Sequence, residues 1–131
     1  VELELKDQLQ REPVFYARLW AGLGNLQAVA GDKEAALRSA QNAVELASES
    51  SDAVEGVEFA VNLAFVRAWT GDKTRAIADL SRLIRTPLKA GSITPQLNVH
   101  WLKRDPAFFP LRGDPRFEAL LNDPKNNAPL F

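Results

Sequence analysis

An all-α domain of two helical hairpins closed by short capping helices is the fold the sequence predicts. Three observations carry that expectation. Apolar residues recur every three or four positions, a Gly-Asp-Lys tripeptide occurs twice, and the C-terminal third is punctuated by Asp-Pro pairs. The chain has 131 residues, 46% of them hydrophobic and 25% charged, which is the size and texture of one ordinary globular domain. Two independent catalytic domains do not fit in that length. With no cysteine and a single histidine, His100, neither disulfides, thiolate zinc sites nor a His-rich metal cage are expected. No uninterrupted apolar run approaches the roughly 18 residues of a membrane span, and Val1 opens no signal-peptide pattern. The absence of methionine implies a natural start upstream or a trimmed one, and the expected location is cytoplasmic.

Residues 1–13, with Leu3, Leu5 and Leu9, read as an N-terminal helical stub or linker that Pro13 interrupts. From Val14 to Ala30 the residues Phe15, Leu19, Leu23, Leu26 and Ala30 fall on one helical stripe, which predicts a helix. Gly31 tolerates a positive φ and Asp32 can cap the following helix, so a tight turn is expected there. The second helix, Lys33 to about Ser48, puts Ala36, Ala40, Ala43 and Ala47 on one side, and such small side chains allow close approach of two helix axes. Asp52 with Glu55 fits a capping box before Val57, Phe59, Val61 and Leu63, so a third helix is predicted to run from there to Thr70. Gly71-Asp72-Lys73 repeats the earlier turn, and a fourth helix follows with Ala76, Ile77, Leu80, Leu83 and Ile84 inward until Pro87 stops it. Thr94-Pro95, Asp105-Pro106, Asp114-Pro115 and Asp123-Pro124 then mark four short helical starts, because a capping oxygen followed by proline suits a helix N-terminus. The apolar residues between them, from Leu97 to Leu121, are enough to cover one end of a helical stack. The segments are thus 14–50 and 51–90 for the hairpins, 91–124 for the cap and 125–131 for a tail.

Gly31 and Gly71 stand 40 residues apart, each between a pair of helices, which is the mark of an internal repeat. Trp20, Leu23 and Gly24 reproduce a W-x2-L-G start, and Asn25, Gly31, Asp32, Ala36 and Ala43 follow at matching places, so Ala17 to Ser50 resembles a tetratricopeptide repeat (TPR). Val57 to Ala90 is a looser copy. It keeps Asn62, Leu63, Gly71, Asp72, Ala76 and Ile77 but has Ala60 for the aromatic and Ala64 for the glycine. The family spacing of about 34 residues leaves six extra, placed around Ser48 to Val54. Gln27 in place of tyrosine and Ala40 in place of a bulky residue imply narrower packing in the first copy. Leu102 to Phe117, reading LKRDPAFFPLRGDPRF, is similar to the DP-x-F-x-PLR-x-DPRF-x-x-LL ending of many bacterial TPR proteins. The resemblance covers about Ala17 to Leu121. It implies a TPR-like α-α superhelix and the C-terminal repeat module of a multidomain bacterial signalling or regulatory protein.

The net charge of −1 conceals a split: residues 1–60 carry 11 acids and 5 bases, residues 61–131 carry 6 acids and 11 bases. The basic residues recur between apolar ones along helices and read as solvated faces, so no nucleic-acid partner is expected. Catalytic chemistry finds no constellation: His100, between Val99 and Trp101, reads as structural, and no enzyme activity is expected. Asp105, Asp114 and Asp123 are explained as caps rather than metal ligands, and Gly22 and Gly24 lie inside a helix with no phosphate-loop Lys after them. No cofactor or metal is expected. A stacked pair of hairpins presents a concave face for a protein or peptide ligand. On the geometry the resemblance implies, that face holds Arg18, Ala21, Asn25 and Ala28 from the first copy and Asn62, Phe65 and Trp69 from the second. The two asparagines stand where family members hold a peptide backbone or carboxylate, while the lysines of a full carboxylate clamp are absent. Phe65 and Trp69 either anchor a partner's apolar side chain or lie buried under the cap. The alternative role is a homodimerisation or intramolecular regulatory module whose groove is self-occupied.

Overall fold

Helix α1 (Pro13–Ala30) begins on its proline, whose fixed φ and missing N–H cost nothing at the first helical position. It is followed by α2 (Lys33–Leu46), α3 (Glu55–Trp69) and α4 (Lys73–Leu83). After these come α5 (Val99–Arg104), a 3-10 helix (Pro106–Leu111), α6 (Pro115–Asn122) and the single turn α7 (Pro124–Asn127). The computed structural model describes residues 13–48, 55–85 and 98–127, and within them every regular element is helical. The N-terminal stub, the Asp52 cap, Pro87 and the Thr94-Pro95 start lie outside the described residues.

The two Gly-Asp turns have the same construction. Gly31 and Gly71 take φ of 91° and 96°, a region costly for any residue with a Cβ. The amide of Asp32 donates to the Gln27 carbonyl and that of Asp72 to the Arg67 carbonyl, both at 2.9 Å, closing each preceding helix. The Asp32 and Asp72 carboxylates then accept from the amides of Ala35 (3.4 Å) and Arg75 (3.3 Å), capping the next helix. Each turn folds its two helices back on one another as an antiparallel pair.

Small residues set the spacing of the first pair. A Cβ built on Gly24 would stand 3.2 Å from the Ala36 carbonyl oxygen and 3.3 Å from the Ala40 nitrogen, so α1 and α2 approach almost backbone to backbone. Ala36, Ala40, Ala43 and Ala47 are all buried, as the sequence pattern requires. Between the helices the buried Ser39 hydroxyl donates to Gln27 Oε1 at 2.7 Å, so Gln27 satisfies a polar group that would otherwise be costly to bury. Helix α3 lies on this pair, with Phe59 among Ala17, Ala21, Ala43 and Ala47, and with Leu63 and Val66 among Ala28, Ala36 and Ala40.

The C-terminal segments close the second pair. Ala60, Ala64, Ala68, Ala76, Ile77 and Leu80 form one core with Leu102, Phe108, Leu111, Phe117, Leu120 and Leu121. Asn98 caps α5, accepting from the Trp101 amide at 2.8 Å. Asp105, Asp114 and Asp123 each accept at 2.9 Å from the amide two residues on, which matches the role read from their Asp-Pro pairing.

Phe15, Leu19, Leu23 and Leu26 do not face the core: with Val29 they are between 42% and 72% exposed, and Ala30 is exposed as well. The buried side of α1 is Ala17, Ala21, Gly24 and Ala28. Arg18 is the only charged residue in the helix, so α1 has two apolar sides. Periodicity identifies both without choosing between them, and the close contact with α2 and α3 takes the side with the small residues.

Candidate protein-binding face

The residues assigned to a concave face separate into three groups. Ala21 and Ala28 do not line an open surface: both are buried in the seams around α3, at 8% and 4% exposure, because their small size is what lets α3 settle there. Arg18 is exposed on α1. Asn25 and Asn62 are half-buried on two helices that pack together, and each carries one fully buried amide atom without a hydrogen-bond partner, Oδ1 of Asn25 and Nδ2 of Asn62. One of these atoms accepts and the other donates. A buried polar atom left unpaired costs about 1–3 kcal/mol, so such positions mark places where stability has yielded to something else.

Phe65 and Trp69 sit one turn apart on α3, with ring centroids 6.0 Å apart and planes inclined at 49°. Phe65 is half-buried against the core. The Trp69 indole N–H donates to the Ala107 carbonyl at 2.7 Å, which ties the end of α3 to the 3-10 helix. The residue nevertheless remains 37% exposed. Trp69 is therefore both held by the cap and open to solvent, rather than one or the other. Below it, Arg67 pairs with Asp79 across α3 and α4, and Thr70 Oγ1 donates to the Val66 carbonyl at 2.8 Å, so the residues around the indole are held in turn.

Other polar groups tie the helices together. Arg116 is bound twice by Asp114, through Nη2 at 2.9 Å and Nε at 3.1 Å, and its Nη1 donates to Thr74 Oγ1 at 2.7 Å, joining α6 to α4. The guanidinium's hydrogen bonds hold the Asp114 carboxyl down at about 2, well below its ordinary 3.8. Arg112 lies over the Phe109 ring, 3.8 Å from its centroid. His100 is exposed on α5. Among the described residues no group of three or more His, Cys, Asp or Glu side chains converges as a metal site would require, and no helix is long and apolar enough to cross a membrane.

Sequence reasoning did not find the outward stripe of α1, the Ser39 to Gln27 bond, or the indole bond to Ala107. The first had a signal, a helix with one charge in eighteen residues. The other two join positions 12 and 38 residues apart, beyond any local pattern. No family model, curated protein or solved structure matches the chain.

Proposed function

We propose that this domain is a non-catalytic protein-interaction module, a TPR-like pair of hairpins that binds an extended or helical peptide along the face carrying Arg18, Asn25, Asn62, Phe65 and Trp69. Trp69 carries the reading. Its N–H is satisfied by the cap, its orientation is constrained by that bond and by Phe65, and the residue stays partly open to solvent. A rigid, partly exposed aromatic with no unmet polar need is the type of residue that dominates binding energy at interfaces. Asn25 and Asn62, half-buried on the two packed helices, add amide side chains to the same face. The resemblance of the repeats and of the closing segment supports reading the module as the C-terminal part of a larger, cytoplasmic bacterial signalling or regulatory protein.

The test is selection of peptides from a displayed library on the immobilised domain, followed by titration of the tightest one against tryptophan emission. Trp69→Ala is expected to weaken binding by at least about tenfold, and Asn25→Ala with Asn62→Ala to weaken it while leaving the melting temperature unchanged or higher. Trp20→Phe and Trp101→Phe should leave affinity intact. Peptides that bind equally well to the Trp69→Ala and asparagine variants would remove the basis for this assignment.

A further inference from the structure

We propose that the outward face of α1 is a two-fold interface with a second copy of this chain. It is distinct from the peptide face and does not depend on it. Phe15, Leu19, Leu23, Leu26 and Val29 are five of the seven large hydrophobic side chains exposed among the described residues, and all five stand on this one helix. Half-exposed side chains of this size present about 100 Å² each, so the stripe reaches the upper end of the roughly 300–600 Å² patch found on ordinary monomers.

The register of the repeat shows that this face has the form of a docking surface. The 40-residue offset that superposes Gly31 on Gly71 places Leu19, Leu23 and Leu26 where α3 has Phe59, Leu63 and Val66. Those three are buried against α1 and α2. The same register that seats α3 on the first hairpin is thus presented, uncovered, by α1. A second copy does not offer the matching alanine seam, because its first seam holds its own α3 and its second holds its cap. Its one exposed apolar surface of like extent, among the described residues, is the same stripe.

The stripe is also self-complementary. Phe15, Leu19, Gly22, Leu26 and Val29 follow one another at spacings of four, three, four and three, the narrow seam of paired helices. Gly22 stands at the middle of the seam and of the helix, with Phe15 seven residues before it and Val29 seven after, Leu19 three before and Leu26 four after. The spacings run four-three-four-three from one end and three-four-three-four from the other, so two antiparallel α1 helices related by a two-fold axis at Gly22 set Phe15 against Val29 and bring Leu19 beside Leu26 with an offset of one residue, about 1.5 Å along the helix. A Cβ built on Gly22 meets nothing within 4 Å, so nothing inside the protomer requires a glycine there. At the axis, its missing side chain lets the two helices approach closely. Charge does not oppose the pairing, since the two copies of Arg18, four residues from the axis, fall about 12 Å apart along the helices, beyond the roughly 8 Å screening length. Fully buried, the stripe supplies about 500 Å² per partner, below the about 800 Å² of a standard interface and in the range of weak pairs, so association is expected at micromolar concentrations and above.

Sedimentation equilibrium of the full chain over about 1–200 µM is expected to show a monomer passing to a dimer. Gly22→Arg enters open space in the protomer and favours the helix, so it should preserve the thermal melt while weakening self-association by about 30-fold or more. Leu19→Glu with Leu26→Glu should act likewise. Because the chain has no cysteine, Gly22→Cys gives a single thiol, which should oxidise to a covalent dimer much faster than the exposed control Lys33→Cys. Trp69→Ala should leave the dimer unchanged, which separates this interface from the peptide face. A wild-type chain that stays monomeric throughout, with Leu19→Glu lowering its melting temperature, would mean that its own polypeptide covers the stripe, and the proposal fails. A monomer without that loss would reserve the stripe for a different protein, and a dimer indifferent to Gly22→Arg would use another surface. Either result overturns the proposal.

Discussion

Gly22 and Gly24 lie two residues apart in the same helix and have opposite reasons to be glycine. An added methyl at position 24 presses on backbone atoms of α2 at 3.2 and 3.3 Å, whereas at position 22 it meets open space. Gly24→Ala is expected to cost about 1–3 kcal/mol in packing against a helix-propensity gain of about 1 kcal/mol. Gly22→Ala keeps the gain alone, so its melting temperature should exceed that of Gly24→Ala by about 5 °C in a thermal denaturation. Asp114 gives a second residue-level expectation. Its carboxyl titrates at about 2 instead of 3.8 because Arg116 binds the charged form. A depressed carboxyl stabilises the fold above its unfolded value and loses that contribution as pH falls from about 4 toward 2. Asp114→Asn should therefore flatten the acid side of the stability curve in that window, as read by melts at successive pH values.

At the level of elements, the turns were the most legible part of the sequence and α1 the least. A glycine at positive φ followed by an aspartate cap is a local device, written in adjacent residues, and both copies take the form expected of them. The Asp-Pro starts of the cap were legible for the same reason. The inward face of α1 was not, because a helix that is apolar on two sides has no pattern that says which side meets α2, and Gly24 and the alanines decide it through shape. The equivalence of the two turns yields a prediction at this scale. The carboxylate contacts are long, 3.4 and 3.3 Å, so Asp32→Ala and Asp72→Ala should each cost about 0.5–1 kcal/mol in denaturant melts, and nearly the same amount as each other.

In the whole molecule, much of the candidate site was hidden from sequence for a different reason. Asn62, Phe65 and Trp69 were recognisable as a cluster on one helix, yet the state of Trp69 depends on a carbonyl 38 residues away. Ala21 and Ala28 read as surface residues from sequence, and the position of α3 buries them. The cap is part of the main core rather than an appendage, since Phe108 and Phe117 are fully buried with residues of α3 and α4. Phe108→Ala is accordingly expected to cost about 3–5 kcal/mol and to shift a single cooperative transition, followed by circular dichroism and tryptophan emission together. Two coincident probes moving apart would instead mark the cap as a unit that melts separately.

The cap has a further consequence for assembly. A stack of hairpins with two bare ends invites head-to-tail growth into filaments, as each unit offers the next the surface it lacks itself. Here the seam of the second hairpin is plugged by Leu102, Phe108, Leu111 and Phe117, so that end accepts no successor. On the proposed two-fold pairing, association through the opposite end stops at a closed pair, so light scattering at high concentrations of the domain is expected to show discrete particles in place of fibres.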